Sequence, residues 1–127
     1  MSFAILGIDH VVLRARDPER LIRFYCEVLG MTVSKRNEKL SLVHLAAGRS
    51  QIDVVPETEA TRQGKNVDHF ALRVDPFDAP SLIAHLNRHG IEPGAVVTRF
   101  GAEGNGPSLY LTDPEGNTVE LKGPATA

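Results

Sequence analysis

The chain has 127 residues, 42% hydrophobic and 24% charged, with a formal net charge of −2, a pI near 6.2 and one cysteine, Cys26. That length suits one domain with a core of its own, and the slight acidity argues against a footprint for nucleic acid or an anionic membrane surface. A single cysteine excludes an internal disulfide, no apolar run reaches membrane-spanning length, and the opening six residues lack a basic leader, so a cytoplasmic protein is expected.

Residues 7–15 alternate in a run rich in β-branched side chains. This predicts a strand with His10, Val12 and Arg14 on one face and Asp9, Val11 and Leu13 on the other. Asp17-Pro18-Glu19 is a helix start: Asp17 can cap, Pro18 suits the first turn, and Glu19 favours the positive end of the dipole. Leu21, Ile22, Tyr25, Val28 and Leu29 form one apolar helical face, and Gly30 ends it. A strand over 31–34, a polar turn over 35–39 and strands over 40–46 and 50–55 follow. Residues 56–66, with Pro56 and Gly64, are the one linker-like stretch. Beyond it come a strand over 67–74, a helix over 78–89 with Leu82, Ile83 and Leu86 inward, and a strand over 94–99. A glycine-rich loop over 101–106 leads to strands over 108–112 and 117–122, joined by the tight turn Asp113-Pro114-Glu115-Gly116.

The second half repeats the first. Ile8-Asp9-His10-Val11-Val12-Leu13-Arg14 returns as Val67-Asp68-His69-Phe70-Ala71-Leu72-Arg73, Ser41-Leu42 returns as Ser108-Leu109, and Gln51-Ile52-Asp53 aligns with Thr118-Val119-Glu120. Repeats 7–55 and 67–122 are each βαβββ, and neither alone closes a sheet around a core. The expected architecture is therefore a single α+β domain of two tandem βαβββ modules. The duplication sets one histidine and one carboxylate at corresponding points in each half: His10 with Asp53, and His69 with Glu120. A lone strand histidine is more often a packed or rim residue than a ligand. A pseudo-twofold pairing of the two strands changes that, because it turns both imidazoles toward a shared centre. Two imidazoles with one or two carboxylates suit a divalent transition metal with positions left for water or substrate.

Three segments, Ile8 to Leu13 followed by Phe24-Tyr25 and Val28-Leu29-Gly30-Met31, Val67 to Val74, and Leu109 to Leu121, resemble the vicinal oxygen chelate superfamily, the glyoxalase, bleomycin-resistance and extradiol dioxygenase group. The resemblance implies a cup-shaped mixed sheet with helices packed outside it, one divalent metal per site, and commonly a homodimer. In such dimers one site draws on both chains. Residue by residue, His10, His69 and Glu120 match the three ligand positions shared by most metal-using members. Asp53 falls where glyoxalases of this type carry a fourth ligand, usually Glu. Being one methylene shorter, it would ligate weakly, act through water or serve as a base, and Gln51 on the same strand face is its possible substitute.

Three chemistries follow from the resemblance. A glyoxalase-like lyase or isomerase would act on a small molecule with vicinal oxygens through a metal-stabilised enediolate, using nickel, cobalt, zinc or manganese. Glu120 or Asp53 would move the proton and Tyr110 would donate to an oxygen. An extradiol dioxygenase would use His10, His69 and Glu120 to hold Fe(II), but its acid–base histidine is missing from Gly101-Ala102-Glu103, which places it second. A metal-free antibiotic-binding protein comes third, since the His/His/Glu set is intact and the chain has no tryptophan to stack on a ligand. For substrate binding, Arg14 and Arg73 share strand faces with His10 and His69; they would fork onto an anionic group or pair with Asp17 and Asp75. Glu103 would gate a mobile lid, or lie in an ordinary hairpin. His44 is a proton carrier behind the site or an edge histidine, His85 and His89 line a solvated helix face, and Cys26 is a small core residue.

Overall fold

The computed structural model describes residues 6, 8–62, 64 and 66–126. The first five residues, the expected strand start at Gly7 and the linker positions Gln63 and Lys65 lie outside the described residues. The chain divides into two compact units, Met1–Gly64 and Lys65–Ala127. In the first, β1 (His10–Ala15), α1 (Pro18–Arg23), β2 (Thr32–Asn37), β3 (Leu42–Ala47) and β4 (Ser50–Pro56) make a sheet in the order β1-β4-β3-β2. In the second, β5 (His69–Arg73), α2 (Ala79–Arg88), β6 (Val97–Gly101), β7 (Gly104–Thr112) and β8 (Thr118–Lys122) make a sheet in the order β5-β8-β7-β6. Both sheets are mixed: the first strand pairs parallel with the last, and the other pairings are antiparallel. The architecture is α+β, with the expected βαβββ order in each unit. Among the described residues, no helix is long and apolar enough to cross a membrane.

Alternation sets which face each strand buries. Leu13 and Ala15 of β1 are fully buried while His10, Val12 and Arg14 are exposed, and β5 repeats this with His69, Ala71 and Arg73 outward. α1 packs on β1 and β4 through Leu21 and Ile22. Its start follows the sequence signal: Pro18 opens the first turn, and Arg20 N–H donates to Asp17 Oδ1 at 3.2 Å. The helix does not run on regularly to Gly30. Phe24–Val28 opens into a π-helical turn, which buries Phe24 as well as Tyr25, their rings meeting edge to face at 5.1 Å. Cys26 lies in this turn, where burial, with Glu27 adding to it, pushes the thiol pKa up.

Two boundaries and one equivalence between the repeats differ from expectation for physical reasons. β2 runs to Asn37, into the stretch expected to be a turn, because Lys35 and Arg36 pair with His44 and Val43 as part of an exposed edge strand. A solvated edge carries the same charged residues as a turn. The turn itself is the 3-10 segment Glu38–Leu40, capped by the Asn37 side chain and left through Ser41 at φ 51. The glycine-rich stretch is mostly strand: β6 ends at Gly101, β7 begins at Gly104, and only Ala102 and Glu103 turn between them. Ala102 and Glu103 are thus the tip of a hairpin. Finally, His44 pairs with Asp53 and Tyr110 with Glu120. The longer β7–β8 turn therefore makes Leu42, and not Ser41, the structural counterpart of Ser108.

Glycine weakens strands, yet β6 and β7 need it for room. A Cβ on Gly106 would lie 2.2 Å from the Pro124 carbonyl oxygen and 2.9 Å from Lys122 Nζ, and one on Gly101 would lie 3.0 Å from Lys122 Cε. The lysine stem and the returning C-terminal segment fill that space. Gly106→Ala is therefore expected to overpack the sheet and cost about 1–3 kcal/mol, read as a lower urea midpoint at unchanged slope. A variant as stable as the parent would show that the Pro124 segment moves aside freely.

Candidate functional site

In the second unit the parallel β5–β8 register sets His69 beside Thr118 and Ala71 beside Glu120. Glu120 is thus one diagonal step from His69 on the same face, and His69 Nε2 stands 3.5 Å from Glu120 Oε1. The other ring nitrogen, Nδ1, lies 2.7 Å from Asp68 Oδ2. With its proton on Nδ1 the ring donates to Asp68, and the Nε2 lone pair is left on the Glu120 side. Glu120 is buried, and Ser108 Oγ–H donates to its Oε2 at 2.7 Å, so Oε1 is the oxygen turned to His69. Tyr110 lies directly across from Glu120 on β7. Its ring meets His69 edge-on at 6.0 Å, and the Arg99 guanidinium lies 5.8 Å from its centroid.

The β7–β8 register depends on the turn between them. Asp113 is buried; its Oδ1 accepts the backbone N–H groups of Glu115 and Asn117, both at 2.9 Å, and its Oδ2 accepts the Asn117 side-chain amide at 2.8 Å. Gly116 takes the positive φ of 84 that closes the turn.

The first unit repeats the diagonal. His10 is beside Gln51 and Val12 beside Asp53, and Asp9 Oδ2 holds His10 Nδ1 at 2.8 Å. The hydrogen bond to Asp9 raises the His10 pKa above its ordinary value; desolvation opposes this, while the charges of Asp53 and Asp9 add to it. The carboxylates differ between the units. Asp53, also buried, has His44 Nδ1 and Gln51 Nε2 both 2.8 Å from its Oδ1. Assigning the His44 proton to Nδ1 gives both contacts a donor, and His44 stands where Tyr110 stands in the second unit. Gln51, expected as a substitute ligand, here donates to Asp53. Each unit offers one imidazole and one carboxylate; among the described residues, neither gathers three or more His, Cys, Asp or Glu side chains for a metal.

Of the expected substrate-binding residues, Arg73 and Glu103 come together. Arg73 Nε donates to Glu103 Oε2 at 2.6 Å and Nη2 to Oε1 at 3.4 Å, while Nη1 donates to the Val74 carbonyl. Glu103, and not Asp75, is thus the acidic partner of Arg73. Arg14 is exposed at the matching place on β1, beside Val55. A cavity of about 420 Å³ opens beside Tyr110, Thr112 and Thr118, bounded by Gly90, Ile91, Glu92 and Gly94. That volume falls within the usual range for small-molecule pockets, about 300–1,000 Å³. Sequence reasoning missed the roles of Asp9, Asp68 and Ser108. For the first two the signal was present, since the Asp-His dipeptide occurs in both repeats.

Residues 7–121 match the family described as the Glyoxalase/Bleomycin resistance protein/Dioxygenase superfamily. A catechol-2,3-dioxygenase of Bacillus subtilis is 29% identical over 120 residues; the match takes in 90% of this chain but only 40% of that enzyme's length. A lactoylglutathione lyase of Salmonella typhimurium is 30% identical over 124 residues, covering 88% of either chain. The crystal structure of a virulence protein from Salmonella typhimurium, 27% identical, superposes with a TM-score of 0.81 over 97% of this chain and 100% of that one.

The Asp9–His10 contact predicts a pH dependence. Because the fold raises the His10 pKa, the contact stabilises the metal-free protein below the ordinary imidazole pKa and ceases to do so as pH rises through the raised value. In an NMR titration of the ring Cε1–H signals, Asp9→Asn should move the His10 midpoint down. An unchanged His10 midpoint would contradict the assigned hydrogen bond.

Proposed function

The chain belongs to the Glyoxalase/Bleomycin resistance protein/Dioxygenase superfamily, and on that premise we propose that it is a divalent-metal-dependent enzyme of the glyoxalase type, a lyase or isomerase acting on a small molecule with vicinal oxygens. The observation that carries this reading is the His69–Glu120 pair, 3.5 Å apart, with the far nitrogen of the imidazole held by Asp68. A carboxylate behind a histidine is what metal-ligating imidazoles use to fix tautomer and ring direction, and Asp9 behind His10 repeats it. The proposed ligands are His10, His69 and Glu120, with Asp53 as a fourth. This donor set of nitrogen and oxygen atoms fits nickel, cobalt, zinc or manganese.

A divalent ion held there would supply Lewis acidity to the substrate's paired oxygens. The protein's own groups supply the rest. Ser108 holds Glu120 Oε2, which leaves Oε1 on the His69 side, and Glu120 or Asp53 would take and return a proton between neighbouring carbons. Tyr110, opposite Glu120, would donate to a substrate oxygen. In this reading both units form one domain, the protein acts as a homodimer, and the lone Cys26 fits a reducing, cytoplasmic setting.

One observation favours a second reading, an Fe(II) extradiol-type dioxygenase acting on a catechol-like substrate. His44 and Gln51 already engage Asp53, and removing it from the set leaves two histidines and one carboxylate, the combination of non-haem iron oxygenases.

Elemental analysis of untagged protein, followed by anaerobic reconstitution, separates the two. Stoichiometric nickel, cobalt, zinc or manganese supports the glyoxalase reading; iron lost in air supports the dioxygenase; no metal under any condition makes a ligand-binding protein the better account. His69→Ala should abolish metal binding with the circular dichroism spectrum unchanged, and Asp68→Asn should weaken it about 10–100-fold. Full occupancy in both variants would exclude the proposed ligand set.

A further inference from the structure

We propose that Arg73, Lys122 and the hairpin tip Ala102–Glu103 form a binding site for one small oxyanion, a carboxylate or phosphoryl group carried by the substrate. It rests on the metal-centred reading only for the orientation of the bound molecule.

Lys122 is the starting observation. It is the last residue of β8 and only 7% exposed, yet among the described residues its Nζ makes one hydrogen bond, 3.4 Å long, to the neighbouring Gly123 carbonyl. A buried ammonium is costly unless paired with an anion. The duplication shows that the scaffold does not demand a lysine there. Lys122 pairs with Arg73, and the equivalent partner of Arg14 in the first unit is Val55. Gly101 and Gly106 give up their side chains to the lysine, as the close approach of Lys122 Cε and Nζ shows.

Beside Lys122 lies a cavity of about 120 Å³, lined by Ala71, Arg73, Ala102, Glu103 and Lys122 among others. It is larger than the roughly 30 Å³ share of one water molecule and smaller than the roughly 300 Å³ at which pockets for whole ligands begin. A space of that size takes a functional group. Two cations line it, and the Arg73 fork suits the paired oxygens of a carboxylate or phosphate. Glu103 already occupies that fork from the hairpin tip, with its side chain 52% exposed. The protein thus holds an oxyanion of its own on Arg73. An incoming one displaces Glu103 and gains Lys122.

The register gives the substrate a length. Arg73 and Lys122 stand two residues along β5 and β8 from Ala71 and Glu120, about 7 Å at the usual strand rise. A compact acid fits, with its reacting oxygens at His69 and Glu120 and its anionic end about 7 Å away.

The test is an amide NMR titration of the full-length chain, stripped of metal with EDTA, using inorganic phosphate and, separately, acetate at constant ionic strength. Saturable shifts around residues 73, 101–103 and 122–123 are expected, and the anion that binds more tightly identifies the group. Lys122→Met should weaken binding at least about tenfold, and Glu103→Gln should tighten it severalfold, because the internal competitor loses its charge. Shifts that never saturate, or that chloride reproduces, overturn the proposal, as does Lys122→Met binding like the parent. If Lys122→Met does not fold, unchanged affinity in both Arg73→Gln and Glu103→Gln overturns it equally. Metal content measured on each preparation before stripping, and metal uptake on adding the ion back, keep the two readings apart. Full metal with no anion binding sinks the oxyanion site alone, and anion binding without metal uptake sinks the metal centre alone.

Discussion

Parallel pairing of the first strand with the last is the constraint on which each unit depends. It makes β4 and β8 inner strands, flanked on both edges, and so buries residues on both of their faces: Ile52, Asp53 and Val54 in one, Val119, Glu120, Leu121 and Lys122 in the other. The apolar residues turn one way and the charged ones the other, as the two-residue period requires. A carboxylate on such a strand is desolvated, and desolvation is tolerable only with partners. Ser108 serves Glu120, and His44 with Gln51 serves Asp53. The polar face of each sheet is thus organised around a buried charge, with the first-strand histidine one diagonal step away.

The two units use this plan differently. Tyr110 faces Glu120 where His44 faces Asp53, and Lys122 stands where the first unit has Val55. The first unit's carboxylate is held by two donors from its own strands, whereas the second keeps one oxygen toward its histidine and a cation two residues further along. Duplication supplied equivalent positions, and the residues on them then diverged. The second unit carries the cavities beside Tyr110 and beside Lys122.

The order of elements, the outward histidines and the capped start of α1 were legible in the sequence, because alternation and capping are local. What escaped it depends on neighbours. Lys35 and Arg36 look like a turn until His44 and Val43 pair with them. Gly101 and Gly106 look like a loop until Lys122 and Pro124 are seen to need their space. Phe24 joins the core only because a π turn re-aims it beside Tyr25. Among the candidate site residues, the Arg73–Glu103 contact joins β5 to a hairpin thirty residues on, and nothing local marks it.

The repeated Asp-His dipeptide carries one more argument. Neighbouring residues within a strand point to opposite faces, so an aspartate can reach the next histidine only from outside the strand. Both strands begin at the histidine, and Asp9 and Asp68 stand just before them. The two aspartate side chains are 94% and 88% exposed. An ion pair that open to water adds little to stability, and the apolar faces of the sheets do not involve it. Stability therefore gives little reason for the same exposed contact to stand in both repeats. Control of the imidazole does: holding Nδ1 fixes which nitrogen keeps a lone pair and where it points. In the second unit it points toward the buried carboxylate of Glu120.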